Sequence, residues 1–433
     1  MKTPRLRFIA IAFVLVVAAQ CGLAGTEAFT VNGLKVIVKS NPANDIISAQ
    51  LYLRGGSINL SEATQGIEDF VFSAAEKGSR KYPKEALNAI LDRTAASIGT
   101  NATRDYTMIG LRCLRGDFNQ LWEVFADVVM RPTFVPADVE VVRQNLLLGI
   151  KQRKDNPDAY LNDLAMESFY KGHPYHLEPA GVESSIAAIT IAQMERYLAD
   201  NLVTSKLLLV VVGNVSRDDV QKKVEATFGT LPKGEYVPVL PPPVVHDGGT
   251  VRVVERAMPT NYIVGLFSGP APRDPDYYSM TVGMNILGWR IWEEVRTKRN
   301  LSYAPRAAFS NQFANFGLLY VTAVQPDTTV KVMLAEAKKI TQEPVSAKDM
   351  KDRVTLFLTQ YYLRNETNAA QAQFLAFNEL SGLGWEEGDR FIENVRKVTA
   401  ADVQRVAAKY IRNIQFVVLG NPKLIDEKAF AAK

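Results

Sequence analysis

Cysteine and histidine are almost missing from this sequence: 433 residues contain two of the first and three of the second. Cys21 lies beside an apolar N-terminal run, so removing that run leaves Cys113 alone. No internal disulfide is then possible, and the fold must be held by its core. The three histidines are His173, His176 and His246. The first two flank Pro174-Tyr175, where proline prevents a regular helical pair, and the third sits in a proline-rich stretch. They read as loop or surface residues, and a zinc site in this chain is not expected.

Long apolar runs are also lacking. The run Phe8 to Ala19 is twelve residues long, too short to span a bilayer comfortably. With Lys2, Arg5 and Arg7 before it and small residues up to Gly25 after it, it has the form of a secretory signal peptide cleaved near Ala24 or Gly25. Lipidation at Cys21 is disfavoured by Gln20, where a small residue is wanted. The expectation is an exported, periplasmic protein with no membrane span in the mature chain. An excess of charge is absent too: the formal +4 falls by three with the leader, to about +1, and nothing suggests a nucleic-acid partner. Apolar content of 47% and charged content of 22% are those of a soluble globular protein. The length calls for two or more domains.

Along the chain, Phe29 to Val31 and Leu34 to Val38 flank Asn32-Gly33, a two-residue hairpin signature. Ile47 to Leu53 alternates as a strand and stops at Gly55-Gly56. Helical periods are read at about 62–78, 84–98, 116–130 and 136–154, with a strand at Tyr106 to Leu114. Asp155-Asn156-Pro157 breaks the last helix and opens another. A further helix at Ile191 to Leu202 leads into the strand Lys206 to Val212. Prolines and glycines then crowd the stretch from Leu231 to Thr250, a semi-rigid linker.

The second half ends as the first does. Thr190 to Arg196 followed by Val212-Gly213-Asn214 matches Thr399 to Arg405 followed by Leu419-Gly420-Asn421, a polar cap, an amphipathic helix and an apolar strand each time. The predicted architecture is α+β, with two homologous domains, each an antiparallel sheet with helices packed on one face. The boundaries expected are 1–25 for the leader, 26–231 and 251–433 for the domains, and 232–250 for the linker.

One stretch carries chemistry. A helix with Ile291, Trp292 and Val295 on an apolar side is predicted to give out at Asn300, leaving Arg296 and Tyr303 seven residues apart across a helix-to-strand turn. Met singly, such residues are ordinarily a surface charge and a half-buried ring. Together they can hydrogen-bond a carbonyl or an oxyanion, because a guanidinium is a fork of donors and a phenol donates without charge. Alone they cannot break a peptide bond.

The segments Arg54-Gly55-Gly56-Ser57, Gly66-Ile67, Lys77-Gly78-Ser79, Asn101-Ala102-Thr103, Asp155-Asn156-Pro157, Gly172-His173-Pro174-Tyr175 and Phe228-Gly229, in that order, resemble the pitrilysin family of inverted-zinc-motif peptidases. That family carries His-x-x-Glu-His on a helix, two imidazoles for zinc and a glutamate as base. Counted from the flanking glycines, the three places fall here on Asp69, Phe72 and Ser73. The distal glutamate place falls near Leu148-Gly149-Ile150. None of these fits. Glu68 and Asp69 as a surviving acid/base pair are set against the ordinary reading, charges near the start of an exposed helix that suit its dipole.

The spacing in Arg-x-x-x-x-Leu-Ser-Tyr is similar to the Arg/Tyr pair that the family turns toward its zinc. The resemblance implies that Tyr303 donates to the scissile carbonyl and that Arg296 orients the substrate backbone. Arg299 is off the spacing, and Asn300 stands where glycine is usual. The reading that follows is the non-zinc subunit of a heterodimeric zinc metallopeptidase, inactive alone. Zinc would be held by a homologous partner subunit, and peptides would be the substrates. The alternative is a catalytically inert peptide-binding or scaffold subunit.

Overall fold

The computed structural model describes residues 25–431; the leader up to residue 24, with Cys21, lies outside them. Two strands, β1 (Thr26–Val31) and β2 (Leu34–Ser40), close on Asn32 and Gly33, whose φ angles of 48° and 90° meet the demand of a tight hairpin for two left-handed residues. With β3 (Ile46–Arg54), β4 (Ser97–Ala102), β5 (Tyr106–Leu114) and β6 (Leu207–Gly213) they form a six-stranded sheet in the order β1-β2-β6-β3-β5-β4. Every pairing in it is antiparallel except β2 with β6. Strand β4 corrects the reading of one helix to residue 98. That helix stops at Thr94, and Ala95 turns the chain at φ 49°.

The second sheet repeats this plan with β7 (Thr250–Glu255), β8 (Asn261–Ser268), β9 (Arg306–Phe309), β10 (Phe316–Ala323) and β11 (Gln415–Gly420), in the order β7-β11-β8-β10-β9. Again one pair, β7 with β11, is parallel. The repeated strands β6 and β11 therefore hold equivalent places. Each follows a helix opened by a capping box: Thr190 with Gln193, and Thr399 with Asp402.

Each sheet packs helices of its own half on one face. On the first, Phe72, Leu121, Trp122, Phe125, Val220 and Val224 meet Leu51, Leu209 and Val211. On the second, Met280, Leu287, Val330, Met333 and Val403 meet Ile263, Val321 and Val418. The opposite faces are closed by exchange. Helix Pro157–Phe169 of the first half lays Leu161, Leu164 and Ala165 on Val264, Leu318 and Leu419 of the second sheet. Helix Asn368–Leu380 of the second half lays Ala372, Leu375 and Ala376 on Ile37, Leu208 and Val210 of the first. The two halves are thus bound by the burial of core side chains, each worth about 1.5–3 kcal/mol.

Residues 231–249 form neither helix nor strand, and they are tied down at intervals. The Tyr236 N–H donates to Ser205 Oγ at 3.0 Å, and Gln415 Nε2 donates to the Gly248 carbonyl at 2.6 Å. Among the described residues no helix is long and apolar enough to cross a membrane.

Candidate functional site

Helix Tyr277–Ile291 carries Ile286, Leu287 and Ile291 into the core of the second domain. It then widens into a π-helical turn, Trp292–Thr297, in which the Lys298 N–H reaches the Glu293 carbonyl at 2.9 Å. Such a turn inserts a residue into the helical ladder and shifts the faces that follow, a device often found at functional sites. Val295 stays fully buried and anchors the turn, whereas Trp292 faces solvent. The expected apolar side of Ile291, Trp292 and Val295 is corrected by that one residue.

Asn300 ends the turn at φ 50°. Asparagine tolerates this conformation because its short amide meets few clashes there. The reversal is closed by two nested bonds, Asn300 N–H to the Arg296 carbonyl at 3.1 Å and Leu301 N–H to the Val295 carbonyl at 2.9 Å. Ser302 is buried, its Oγ accepts the Ala304 N–H at 3.2 Å, and β9 begins two residues later at Arg306. The chain has doubled back, and Tyr303 lies beside Arg296.

The Arg296 guanidinium carbon sits 4.7 Å from the centroid of the Tyr303 ring and 5.5 Å from that of Trp292. Two ring faces hold one cation in place and leave its N–H groups free of any carboxylate partner among the described residues. Tyr303 is 79% exposed, so its hydroxyl is presented outward. Arg299 is committed elsewhere. It and Lys298 both pair with Glu294, whose carboxyl their hydrogen bonds hold down at about 2.

The pair borders an open cleft of ≈ 550 Å³, whose walls include Val264, Leu318 and Tyr320 of the second sheet and Asp158 and Asn162 of the exchanged helix. Asp158 accepts the Tyr320 hydroxyl, and Arg306 lies 5.8 Å over the Tyr320 ring. Sequence reading put Trp292 on the buried side and gave Asp158 no part in the site. Trp292 stands one turn before Arg296 and could have been paired with it from the spacing. Asp158 comes from the other half of the chain, and no local pattern announces it.

The place of the zinc motif is filled by a different chemistry. On helix Ile67–Ala75, Phe72 is buried among Leu53, Leu111 and Leu121. Asp69 is raised by burial and accepts a hydrogen bond from Ser73. Glu68 corrects the reading of an exposed helix start: it is 2% exposed, and its carboxylate accepts Thr107 Oγ1 and the Tyr197 hydroxyl. Burial raises its pKa against those donors, and the network reads as a satisfied buried acid. Leu148, at the distal ligand place, points outward. A phenylalanine, a serine and a leucine supply no zinc ligands, and one aspartate is too few. Among the described residues no three His, Cys, Asp or Glu gather so as to hold a metal ion.

The histidines have structural duties. His173 lies in a loop, one of the two places read for it, and is buried there: its Nδ1 accepts the Tyr175 N–H at 3.0 Å, so Nε2 donates to the Pro242 carbonyl at 3.0 Å. His176 lies between the His173 carbonyl and Glu62, both at 2.8 Å, and those acceptors raise its pKa. His246 packs on the Phe169 ring at 4.9 Å.

Two repeated sheet-and-helix domains, an Arg/Tyr corner in the second and a motif helix without ligands in the first, define a chain built like an inverted-zinc-motif peptidase but lacking its metal set. Comparison with known proteins bears on the family. A family model described as Insulinase (Peptidase family M16) matches residues 35–181, and one described as Peptidase M16 inactive domain matches residues 188–356. The chain belongs to the M16 family of metallopeptidase-like proteins, the pitrilysin family of the sequence resemblance.

It is similar to an uncharacterized zinc protease of Rickettsia felis, 21% identical over 390 residues that cover 88% of this chain and 94% of that one. It is also similar to the mitochondrial-processing peptidase subunit beta of Blastocladiella emersonii, 21% identical over 414 residues covering 90% and 87%. Among solved structures, the peptidase M16 inactive domain from Pseudomonas fluorescens superposes with a TM-score of 0.83 at 21% identity, covering 92% of this chain and 98% of that one. A protease from Helicobacter pylori gives 0.83 at 17% identity, covering 92% and 99%. These likenesses concern the fold.

Proposed function

We propose that this chain is the non-zinc subunit of a heterodimeric metallopeptidase and contributes Arg296 and Tyr303 to a centre whose zinc is held by a homologous partner subunit. The observation that carries the reading is the contrast within one chain. The motif helix offers Asp69, Phe72 and Ser73 where ligands belong, while Arg296 is held between two rings with an outward phenol at its side. A corner built by a π turn and a left-handed asparagine, with no ion pair to Arg296 among the described residues, has the form of a preorganised donor set.

In this reading the peptide lies in the cleft beneath Tyr303. Arg296 forks onto its backbone carbonyls, and the Tyr303 hydroxyl donates to the carbonyl oxygen as negative charge develops on it. The phenol does not need to ionise, so its part is hydrogen-bond donation and not proton abstraction. Export to the periplasm belongs to the same proposal.

The test uses the mature chain alone and mixed with a zinc-motif homologue from the same cell. By itself the chain holds no stoichiometric zinc and leaves a quenched peptide intact; the mixture cleaves it, and Arg296→Ala lowers the rate tenfold or more without loss of complex. Cleavage that is unaltered by Arg296→Ala would leave the inert scaffold or peptide-binding subunit as the correct reading.

A further inference from the structure

A second cleft, of ≈ 460 Å³, opens in the second domain on the far side of Arg306, within the size range of small-ligand sites. Its apolar wall is a box of rings from three helices. Tyr361 stacks on Phe391 with centroids 4.7 Å apart and an interplanar angle of 20°, and Phe374 meets Phe391 edge-on at 5.5 Å, with Phe357 alongside. The polar part of the lining is one-sided in charge. It contains Arg306 and Arg364 and no aspartate, glutamate or lysine, and neither guanidinium is in an ion pair among the described residues.

We infer that this cleft binds a molecule with a ring-sized apolar body and a carboxylate, the body against Phe374 and Phe391 and the carboxylate on Arg364. Aromatic faces favour a flat apolar group, and a guanidinium fork matches a carboxylate in two bonds. Two sources share that chemistry: a free aromatic acid and the carboxy-terminal residue of a peptide ending in phenylalanine. The site needs neither the zinc partner nor turnover, so it stands apart from the peptidase reading.

The experiment is isothermal titration of the mature chain with N-acetylphenylalanine, with its carboxamide, and with a tetrapeptide ending in phenylalanine. The acid binds, the carboxamide binds at least tenfold more weakly, and Arg364→Gln weakens the acid about tenfold or more, as loss of a charged hydrogen bond should. Arg364 is exposed, so its variant keeps the thermal midpoint of the parent. Tighter binding of the tetrapeptide than of the acid assigns the site to peptide termini, and equal binding assigns it to free acids. No heat from either carboxylate at millimolar concentration, or equal affinity of acid and carboxamide, would overturn the inference.

Discussion

Asn300 and Asp105 show how much a single side chain decides in this molecule. Asn300 holds φ at 50°, where a β-branched residue is strained by about 1–2 kcal/mol. Asn300→Val is therefore expected to lower stability by that amount and to disorder the Arg296 corner, while Asn300→Gly keeps both; thermal melts of the two variants check this. Asp105 is buried at the join of the halves, its Oδ1 accepting both the Tyr175 hydroxyl and the Phe313 N–H at 3.0 Å. Burial pushes its carboxyl up to about 6. A carboxyl raised on folding stabilises the folded state fully below its unfolded value, near 4, and that contribution is lost as pH rises through about 6. Asp105→Asn retains the acceptor and removes the titration. Its stability relative to the parent should rise between pH 4 and pH 7, by on the order of 2–3 kcal/mol. Urea midpoints at the two pH values measure it, and a difference that does not change with pH would refute the assignment.

At the scale of elements, the exchanged helices set the cooperativity of the fold. Leu164 belongs by sequence to the first half and by packing to the second, and Leu375 is its mirror. Leu164→Ala or Leu375→Ala should each cost about 2–5 kcal/mol. Because each helix seals the other half's sheet, denaturant unfolding should remain a single transition in both variants; two separated transitions would show that the halves are independent. The sequence made the repeat legible because caps and strands are local: Thr190 and Thr399 are capping residues whatever surrounds them. The exchange was not legible. An amphipathic helix states that one face is buried and is silent about which sheet buries it. The helical period read to residue 98 overran the first two residues of β4: Ser97 to Ala102 alternates half-buried with exposed residues, a weak pattern beside the helix before it.

The whole molecule is a pair of repeats that have diverged in what they present. The first domain holds core and a hydrogen-bonded acid on helix Ile67–Ala75; the second presents Arg296 and Tyr303 at a cleft. That Arg296 and Tyr303 lie side by side could be read from the sequence, because they flank a single helix-to-strand reversal. The cleft they border could not, since Asp158 reaches it only through the exchanged helix. The central claim is that the chain lends this corner to zinc chemistry carried by another subunit. The most direct measurement is kcat for peptide cleavage by the zinc-motif subunit saturated with this chain, comparing the parent with Tyr303→Phe. Tyr303 is exposed and phenylalanine keeps its ring beside Arg296, so a fall in kcat of about a hundredfold is predicted at an unchanged concentration of complex. An unchanged kcat in the Tyr303→Phe complex would contradict it.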